Sequence, residues 1–537
     1  MRKFLFTPLL LLSFGINAQI FQAQCNPDTF NVDTAGFEIN WQQFPDFDLP
    51  FTVVYHGFAP SDSLTWPLRK GFSHISGRGT EYIDTIWPHQ RSYTWTGIAN
   101  ADNWALNTLQ PWRMIKSPWG NDIEGYREKW NHRLQNAVLT NFYKYHPPEG
   151  EPRADIVIAD LEWAYHSDIN ILSIKNDPLV PVYYQNLPDD EFIAEYKKAM
   201  SLLYAEPLKL ATDSLHADVI LTSYAELPIR RTWWTIDDTT WLGWTTDSSL
   251  VDYLMEDTSG FMNSGFYNYH EIICPSIYNF YNIDSVSVGT KYLAYNLFQM
   301  EANAAWSDKN QLVYCWLNYT TTRQAIKPWM AEATAIFPFM EGAMGIYPWK
   351  PALPLGYDSY EYFIKGLYRL SQFNEFFDGN QSYIIPEPAH ESFVNNLPIW
   401  RAVAHGNDIL VAAHNPFAGP YDTTFIPVSY VGWADTIGLI GNEVFLCKFL
   451  ISSIGTEEIQ VEDNLNIYPN PTTGLINIKT EEQINELFII DLSGKIIMAK
   501  STTSEMSKIN ISSFQKGIYV LVVRTKGGVY YRKIIKN

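Results

Sequence analysis

Cysteine is scarce in this chain of 537 residues, which has only Cys25, Cys274, Cys315 and Cys447. These positions lie too far apart for a dense disulfide framework or for the paired spacing of a structural zinc site. Cys274 and Cys315 lie in separate apolar segments that could meet, and we expect two buried free thiols, because an unpaired cysteine packs as a small hydrophobic residue. The sequence predicts no metal site and no cofactor.

Basic residues are also in the minority. The chain has 38 Lys and Arg against 58 Asp and Glu, a formal net charge of −20. Such a charge disfavours nucleic acid and anionic membrane surfaces as partners. It also repels polyanionic polysaccharides, although salt confines that repulsion to about 10 Å, so a locally basic cleft could still bind one.

Long hydrophobic runs are absent beyond the N-terminus, so no membrane span is expected in the mature chain. Residues 1–18 combine Arg2 and Lys3 with an apolar run and then small residues near Ala18. This pattern is typical of a secretory signal peptide, and the run is too short for a membrane span.

No glycine-rich phosphate fingerprint follows the first strand-like segment, which argues against an open nucleotide-binding sheet. Between about residues 45 and 355, continuous apolar segments alternate with helical ones, a pattern of parallel strands buried on both faces. Its length favours a (β/α)8 barrel of the TIM type. The strand-like segments are FTVVYHG, ADIVIADLEW, DVILTSYAE, EIICPSIYNFY, QLVYCWLNY and GAMGIYPWK, and the longest helix is expected from Asp189 to about His216.

The C-terminal third has a different pattern. Short β-like runs with turn residues predict a small β-sandwich domain at 381–455, an acidic linker at 456–465 and a second β-sandwich module at 466–537. The barrel is expected to occupy 25–380. The fold class is therefore α/β, with two β-rich additions.

Two carboxylates stand where a buried strand should end. Asp160 and Glu162 close the segment DIVIADLEW, and residues two apart on a strand point to the same side. Adjacent carboxylates in a partly buried site cannot both ionise easily, so one pKa rises, as a general acid requires. Glycoside hydrolysis needs such an acid and a second group to stabilise a cationic centre. A salt-bridged pair or carboxylate metal ligands are the structural alternatives.

Other predicted strands also end in aromatic groups, and barrel active sites are built from the C-terminal ends of strands. Tyr224, Tyr278 and Trp349 end three of them. We also take Trp163, directly after Glu162, and Trp316, in QLVYCW, as candidate substrate-binding residues, because aromatic rings stack on sugars. Aromatic residues make up 15% of the chain, so many must also serve the core.

These strand segments resemble those of the hyaluronidase family of glycoside hydrolases. DIVIADLEW looks like the family's fourth strand with its Asp-x-Glu, CPSIY is similar to its PSIY strand, GAMGIYPW to its last strand and LPFTVVYHG to its first. The chitinases share this logic with a longer aspartate series, which is incomplete here.

The resemblance implies a retaining, substrate-assisted mechanism. Glu162 would protonate the glycosidic oxygen, and the 2-acetamido carbonyl of the substrate would attack the anomeric carbon. Asp160 would orient the acetamido group and Tyr278 would hydrogen-bond it. Tyr224 would support the site and Trp349 would form its apolar floor. The substrate is then a polysaccharide or glycan that contains N-acetylhexosamine, with a neutral one at least as plausible as hyaluronan.

The module at 466–537 resembles the sorting domain of the type IX secretion system of Bacteroidota. The likeness is carried by YPNP followed by Gly474, and by DLSGK, KGIYVL and the terminal RKIIKN. It implies the type IX secretion machinery as a partner, and a secreted or cell-surface location.

Two other functions stay open. The same barrel could be a non-catalytic carbohydrate-binding surface protein. It could also be a glycosidase with an ordinary carboxylate nucleophile, with Glu226 or Glu341 as the partner of Glu162.

Overall fold

The computed structural model describes residues 24–25, 32–34, 39–56, 65–76, 91–95, 117–119, 128, 131, 155–159, 167–214, 218–230, 243–257, 260–261, 265–349, 358–431, 433–451, 465–490, 496–525 and 529–537. The predicted signal peptide lies outside these residues. No helix in the described part is long and apolar enough to cross a membrane.

The first ten strands precede residue 350. They are β1 Gln24–Cys25, β2 Thr52–Tyr55, β3 His74–Ser76, β4 Arg91–Trp95, β5 Ile156–Ala159, β6 Ile220–Ser223, β7 Glu256–Asp257, β8 Gly260–Phe261, β9 Leu312–Cys315 and β10 Gly345–Pro348.

The helices lie between and after these strands. Those whose bounds fall within the described residues are α1 Thr65–Arg69, α2 Asp168–Ser173, α3 Val182–Gln185, α4 Asp189–Ser214, α5 Gly265–Asn268, α6 Tyr292–Ala304, α7 Pro328–Met340, α8 Asp358–Ser371 and α9 Ala389–Asn395. Short 3-10 helices cover Trp41–Gln43, Ser248–Leu250, Tyr253–Met255, Ser287–Lys291 and Asn374–Phe377.

The long helix α4 confirms the helix predicted from Asp189. Its first turn carries Asp189, Asp190 and Glu191, whose negative charges complement the positive end of the helix dipole. Helix α7 begins with Pro328, a residue well suited to the first helical position because no N–H partner is needed there.

Among the described residues, seven strands form one parallel sheet in the order β6–β5–β4–β3–β2–β10–β9. Strands β5, β9 and β10 are buried along their whole length. The prediction of parallel strands covered on both faces is confirmed here.

The segment from Ile273 to Ser276 lies next to both edges of this sheet. Cys274 makes a parallel bridge to Tyr224, directly after β6, whereas Ile273 and Ser276 bridge in parallel to Gln311 and Tyr314 at β9. The segment was predicted as a continuous strand. Pro275 in its middle has no N–H to donate to a ladder, which is consistent with isolated bridges instead of a regular strand.

The two faces of the sheet pack into different clusters. Along β5, Val157 and Ala159 join the large core that contains the helices, whereas Ile156 and Ile158 join a smaller cluster. This alternation is the normal period of a strand. We call the smaller set the interior cluster; its buried members are Val54, Ile156, Ile158, Ile272, Cys274, Leu312, Tyr314 and Tyr347.

The next six strands form a β-rich region against the same core. They are β11 Ser382–Ile384, β12 Ile399–His405, β13 Asp408–His414, β14 Thr423–Tyr430, β15 Trp433–Ile440 and β16 Val444–Leu450. An antiparallel sheet β1–β16–β13–β12–β11 packs residues such as Val403 and Leu410 into the core of the helices. Its other face packs on the β14–β15 hairpin through Ile409, Val411 and their neighbours.

The remaining strands lie after residue 464 and have a core of their own. They are β17 Leu465–Tyr468, β18 Leu475–Ile490, β19 Ile496–Asn510, β20 Gly517–Thr525 and β21 Val529–Lys536. Every buried residue of this C-terminal core lies between Leu465 and Ile534.

The cysteines divide into two kinds. Cys274 and Cys315 are buried and free, which confirms the expectation of two thiols. Cys447 is disulfide-bonded, and the register of β1 with β16 places Cys25 opposite it. The bond of Cys447 was not predicted from the sequence, in which the four cysteines are few and scattered.

Candidate active site

The two carboxylates and the tryptophan after them fall outside the described residues. Strand β5 ends at Ala159, and Asp160, Glu162 and Trp163 follow in the sequence. The other candidates, Tyr224, Tyr278, Trp316 and Trp349, are all described. The structure therefore tests where four of the seven candidate residues lie.

Tyr224 lies at the end of β6, against the end of β5. Its backbone N–H donates to the carbonyl of Ala159 at 2.9 Å. Ala159 is the residue that directly precedes Asp160 in the sequence. Its hydroxyl shares a hydrogen bond of 3.1 Å with the hydroxyl of Ser276. The backbone and side chain of Tyr224 thus connect the end of β5 with the 273–276 segment.

Three of the candidate rings lie close together. The ring centroids of Tyr224 and Tyr278 are 6.1 Å apart, and those of Tyr278 and Trp316 are 5.8 Å apart. Because these residues follow three neighbouring stretches of parallel strand, their rings gather at one end of the sheet. The rings of Tyr224, Tyr278 and Trp316 are therefore neighbours at this end of the sheet.

Trp349 lies on the other side of the same cluster. Its ring centroid is 6.4 Å from that of Tyr314, which in turn is 4.7 Å from that of Tyr224. It is also 4.5 Å from the ring of His56, at an edge-on angle of 87°. Trp349 is therefore connected to Tyr224 through one intervening ring.

We call this connected set of rings the aromatic group; its members are Tyr224, Tyr278, Tyr314, Trp316, Tyr347, Trp349 and His56. Three of them, Tyr314, Tyr347 and His56, were not predicted as site residues. Tyr314 and Tyr347 stack with centroids 4.3 Å apart and planes 10° apart. The Tyr347 hydroxyl donates to Ser76 Oγ at 2.5 Å and lies 3.2 Å from His56 Nδ1. The sequence held a signal for the two tyrosines. Tyr314 precedes Trp316 by two residues and Tyr347 precedes Trp349 by two, and residues two apart on a strand point to the same side of the sheet.

Trp316 is nearly buried, with 8% of its surface exposed. The guanidinium of Arg323 lies 4.5 Å from its ring centroid, a cation–π contact. Arg323 has a backbone φ of +63°, an uncommon conformation for a residue with a side chain. The guanidinium of Arg323 thus lies over one face of the Trp316 indole, just after β9.

Two carboxylates considered as alternative nucleophiles occupy different ends of the sheet. Glu226 follows β6 by three residues, is buried, and has an oxygen 3.5 Å from Arg230 Nε. Glu341 precedes β10 and is ion-paired with Arg401, which also contacts Glu301. Burial raises the pKa of Glu341 above the usual value of a glutamate. Because it lies before its strand, Glu341 is at the end opposite to the aromatic group.

The Cys274 thiol is buried in the interior cluster, beside Tyr314 and Tyr347. Cys274 bridges to Tyr224, and burial raises the pKa of its thiol to about 12, with Thr222 Oγ1 at 3.7 Å. Within the described residues, no group of three or more His, Cys, Asp or Glu side chains could hold a metal ion. Among the described residues, this end of the sheet offers hydroxyl groups for hydrogen bonding and aromatic faces for contact with a ligand.

Similarity to known proteins is uneven along the chain. No curated protein matches it. Among solved structures, it is similar to bee venom hyaluronidase at 14% identity, covering 61% of this chain and 97% of that one, with a TM-score of 0.36. That enzyme belongs to the family that the strand segments resemble.

Other similar structures are also glycoside hydrolases. A GH30 endoxylanase from Clostridium papyrosolvens matches at 11% identity over 87% of this chain and 96% of its own, with a TM-score of 0.26. An alpha-amylase from Geobacillus thermoleovorans matches at 10% identity over 76% and 99%, with a TM-score of 0.31.

The C-terminal module has a specific match. Residues 466–537 match the family model described as the secretion system C-terminal sorting domain. These are the residues for which the sequence motifs predicted a type IX sorting domain. The match confirms that prediction and indicates export to the cell surface or beyond, so residues 466–537 are a secretion sorting domain.

Proposed function

We propose that this protein is a secreted glycoside hydrolase that cleaves an N-acetylhexosamine-containing polysaccharide or glycan by a retaining, substrate-assisted mechanism. The observation that carries the proposal is the contact between the ends of β5 and β6. The Tyr224 N–H binds the carbonyl of the residue before Asp160, and the Tyr224 ring begins an aromatic group that extends to Trp349.

A closed barrel is part of this proposal. The parallel bridges on both sides of the 273–276 segment support closure of the seven-stranded sheet by an eighth position between β6 and β9. The interior cluster supports it too, because buried residues of β2, β5, β9 and β10 and Cys274 meet in it. Side chains that fill such an interior are typical of a (β/α)8 barrel.

In this proposal Glu162 and Asp160 have separate roles. Asp160 is the next residue in the sequence after Ala159, whose carbonyl accepts the Tyr224 N–H. Glu162 gives its proton to the glycosidic oxygen as the C–O bond breaks, and the substrate's acetamido oxygen forms a bond to the anomeric carbon. Asp160 accepts a hydrogen bond from the acetamido N–H, which orients that group and stabilises the positively charged ring intermediate. Water then opens the ring intermediate, and Glu162 recovers its proton from that water.

The aromatic residues bind the sugar. Tyr278 hydrogen-bonds the acetamido carbonyl, Tyr224 holds the neighbouring strand end, and Trp349 supplies an apolar floor. Trp163 and Trp316 extend the binding surface, and the guanidinium of Arg323 lies over the Trp316 ring. No cofactor enters this mechanism.

A panel of glycans tests the proposed function. Wild-type protein is incubated with chitin oligomers, hyaluronan, chondroitin, peptidoglycan and N-glycans, and the first product is followed by proton NMR. We expect release from at least one N-acetylhexosamine substrate with the anomeric configuration retained. Inversion would contradict the mechanism, and no release from any member would contradict the activity.

Two alternatives predict different results. An ordinary carboxylate nucleophile, with Glu226 as the remaining candidate at the aromatic end of the sheet, predicts that substrates with a free 2-amino group are still cleaved. A non-catalytic carbohydrate-binding protein predicts binding without release. The proposed mechanism requires the 2-acetamido group, so its removal should abolish cleavage.

Export in two steps is also part of the proposal. In this proposal the N-terminal signal directs the protein across the inner membrane, and the type IX machinery then recognises residues 466–537 and carries it across the outer membrane. The module is expected to be removed on release or attachment to the cell surface.

A further inference from the structure

His56 is a buried imidazole of the aromatic group, and the proposed mechanism gives it no role. It directly follows β2, and 6% of its surface is exposed. Strand β2 pairs in parallel with β10, in a register that sets Val53 opposite Ile346. The same register, continued along both strands (53 to 56 and 346 to 349), brings His56 level with Trp349. The pairing of β2 with β10 therefore explains why these two side chains meet.

A chain of hydrogen bonds holds the His56 ring. The Tyr347 hydroxyl donates to Ser76 Oγ at 2.5 Å and lies 3.2 Å from His56 Nδ1. A phenol has only one hydrogen to donate, so Tyr347 accepts from His56, and Nδ1 carries the proton of the neutral ring. Ser76 ends β3 and Tyr347 belongs to β10, the two strands that flank β2 in the sheet. The imidazole is thus linked to both neighbouring strands.

The His56 ring in turn meets the indole of Trp349 edge-on. Their ring centroids are 4.5 Å apart and their planes stand at 87°, an arrangement that aromatic rings favour. Other contacts fix the backbone of Trp349: its N–H donates to the carbonyl of Cys315 at 2.7 Å, and its carbonyl accepts from the Tyr360 hydroxyl at 2.6 Å. His56 therefore contacts the part of Trp349 that these hydrogen bonds leave able to turn, which is the side chain.

Two tyrosine rings also lie near this indole, but they lie further away. The centroid of Trp349 is 6.2 Å from that of Tyr347 and 6.4 Å from that of Tyr314. Among the described residues, His56 is thus the aromatic side chain closest to the indole. Trp349 is partly exposed, whereas Tyr314, Tyr347 and His56 are buried. A buried, hydrogen-bonded ring therefore supports an indole that has surface left for a ligand.

We propose that His56 is a positioning residue: held by the Tyr347 hydroxyl, its ring sets the orientation of the Trp349 indole, the floor on which the sugar rests. The inference rests on the proposed function, which supplies the role of Trp349. His56 acts through Trp349 and does not touch the reacting atoms. Histidine suits the position because it is both an aromatic ring and a hydrogen-bond donor.

Fluorine NMR of protein labelled with fluorotryptophan observes the indole without any ligand. The signal of Trp349 is the one that disappears in Trp349→Phe. We expect this signal to be single and sharp in the wild type and to broaden or split in His56→Leu, because the indole then samples several orientations. An equally sharp, single signal in folded His56→Leu would overturn the inference.

A second buried histidine provides the matched control. His414 is buried, and its ring centroid lies 5.3 Å from that of Trp329, outside the aromatic group. His414→Leu therefore removes a histidine that also contacts a tryptophan. It should lower stability but leave the Trp349 signal single and sharp. Broadening of that signal by His414→Leu to the same extent as by His56→Leu would show a general loosening of the fold and would also overturn the inference.

Calorimetry measures the consequence for a sugar. The probe is chitotetraose, a neutral chain of four N-acetylglucosamine units, and every variant is made in Glu162→Gln protein so that turnover does not interfere. We expect His56→Leu to weaken binding about tenfold, since the ligand must then order a mobile indole itself. His414→Leu should bind as the parent does. Parental affinity in His56→Leu would contradict the positioning role.

Two further variants keep the test decisive if His56→Leu fails to fold. His56→Asn retains an N–H donor for the Tyr347 hydroxyl but has no ring to place against Trp349, so it should weaken binding as strongly as His56→Leu. His56→Phe retains the ring and loses one hydrogen bond, and it should bind within about threefold of the parent. Full binding by His56→Asn together with weak binding by His56→Phe would show that the ring contact is not what matters.

The two proposals fail separately. If wild-type protein neither binds nor cleaves any glycan of the panel while His56→Leu broadens the Trp349 signal, the proposed activity is wrong and the orientation of Trp349 by His56 stands. If wild-type protein cleaves a glycan, and His56→Leu keeps both the parental KM for it and a sharp Trp349 signal, the positioning role is wrong and the activity stands.

Discussion

His270 is a fully buried imidazole behind the aromatic group. Its Nδ1 lies 2.9 Å from the carbonyl of Phe266, and because a carbonyl only accepts, Nδ1 carries the proton. Its Nε2 then accepts from the hydroxyl of Ser223 at 2.6 Å. Burial, together with a smaller effect of the nearby ammonium of Lys309, lowers the pKa of His270 to about 4.

This lowered pKa predicts an acid-side loss of stability. In the unfolded chain, His270 binds a proton as the pH falls below about 6.5, whereas the folded state resists it until about 4. The free energy of unfolding should therefore fall between those values, by up to about 1.4 kcal/mol per pH unit for one such group. The buried His414, whose pKa is also about 4, adds a second proton.

Urea unfolding midpoints of His270→Gln from pH 4 to pH 8 check this. The free energy of unfolding of the variant should depend less steeply on pH, because the contribution of His270 is lost. The contribution of His414 should remain. Ser223→Ala is the control, because it lowers stability at every pH but leaves the imidazole, and therefore the slope, in place. An unchanged slope in His270→Gln would contradict the prediction.

At the scale of elements, β10 depends on a glycine. Gly345 pairs in register with Thr52 and Leu312 on the two neighbouring strands. A Cβ at this position would meet the carbonyl of Thr52 and lie 2.8 Å from Leu312 Cδ1. The strands on both sides cannot retreat without breaking their ladders.

We therefore expect Gly345→Ala to destabilise the protein by about 1–3 kcal/mol, the usual cost of overpacking a core. Thermal unfolding measures the effect. Gly265→Ala is the matched control, since no heavy atom lies within 4 Å of a Cβ there. Equal melting temperatures for the two variants would show that β10 is not packed as described.

Some of these elements could be predicted from sequence and others could not. Strands β2, β5, β6, β9 and β10 are apolar runs flanked by turns or helices, so their burial is visible in the residues. Strands β3 and β4 are short and rich in polar residues, as in His74–Ser76 and Arg91–Trp95. Their pairing depends on neighbours distant in sequence, which no local pattern records.

The candidate site divides in the same way. Tyr224, Tyr278 and Trp349 were found because aromatic residues at strand ends stand out in an apolar run. Tyr314, Tyr347 and His56 were missed, because a tyrosine inside a buried strand is more often read as core, and only the ring distances show that it joins the end residues.

At the scale of the molecule, the sorting domain and the rest of the chain have separate cores. The core of 465–534 contains no residue of the large core, whereas the β-rich region contributes Ile399, Val403, Leu410 and Val444 directly to it. Arg401 adds buried ion pairs with Glu301 and Glu341 across the same boundary.

Two truncations should therefore behave differently. Removal of 456–537 should leave the melting temperature of the remainder unchanged. Removal of everything after 380 should leave an insoluble or unfolded product, because it strips one face from the helical core. A soluble, cooperatively unfolding 1–380 fragment would contradict this organisation; circular dichroism during heating distinguishes the outcomes.

The most direct test of the proposed catalysis is the turnover number of Glu162→Gln on the glycan that wild-type protein cleaves fastest, measured beside its dissociation constant. We predict a fall in turnover of about 10²-fold or more, as expected for loss of a general acid, with binding of that glycan retained. Glu191→Gln, an exposed carboxylate in the first turn of α4, should behave as wild type. Full turnover by folded Glu162→Gln would contradict the assignment of catalysis to the end of β5.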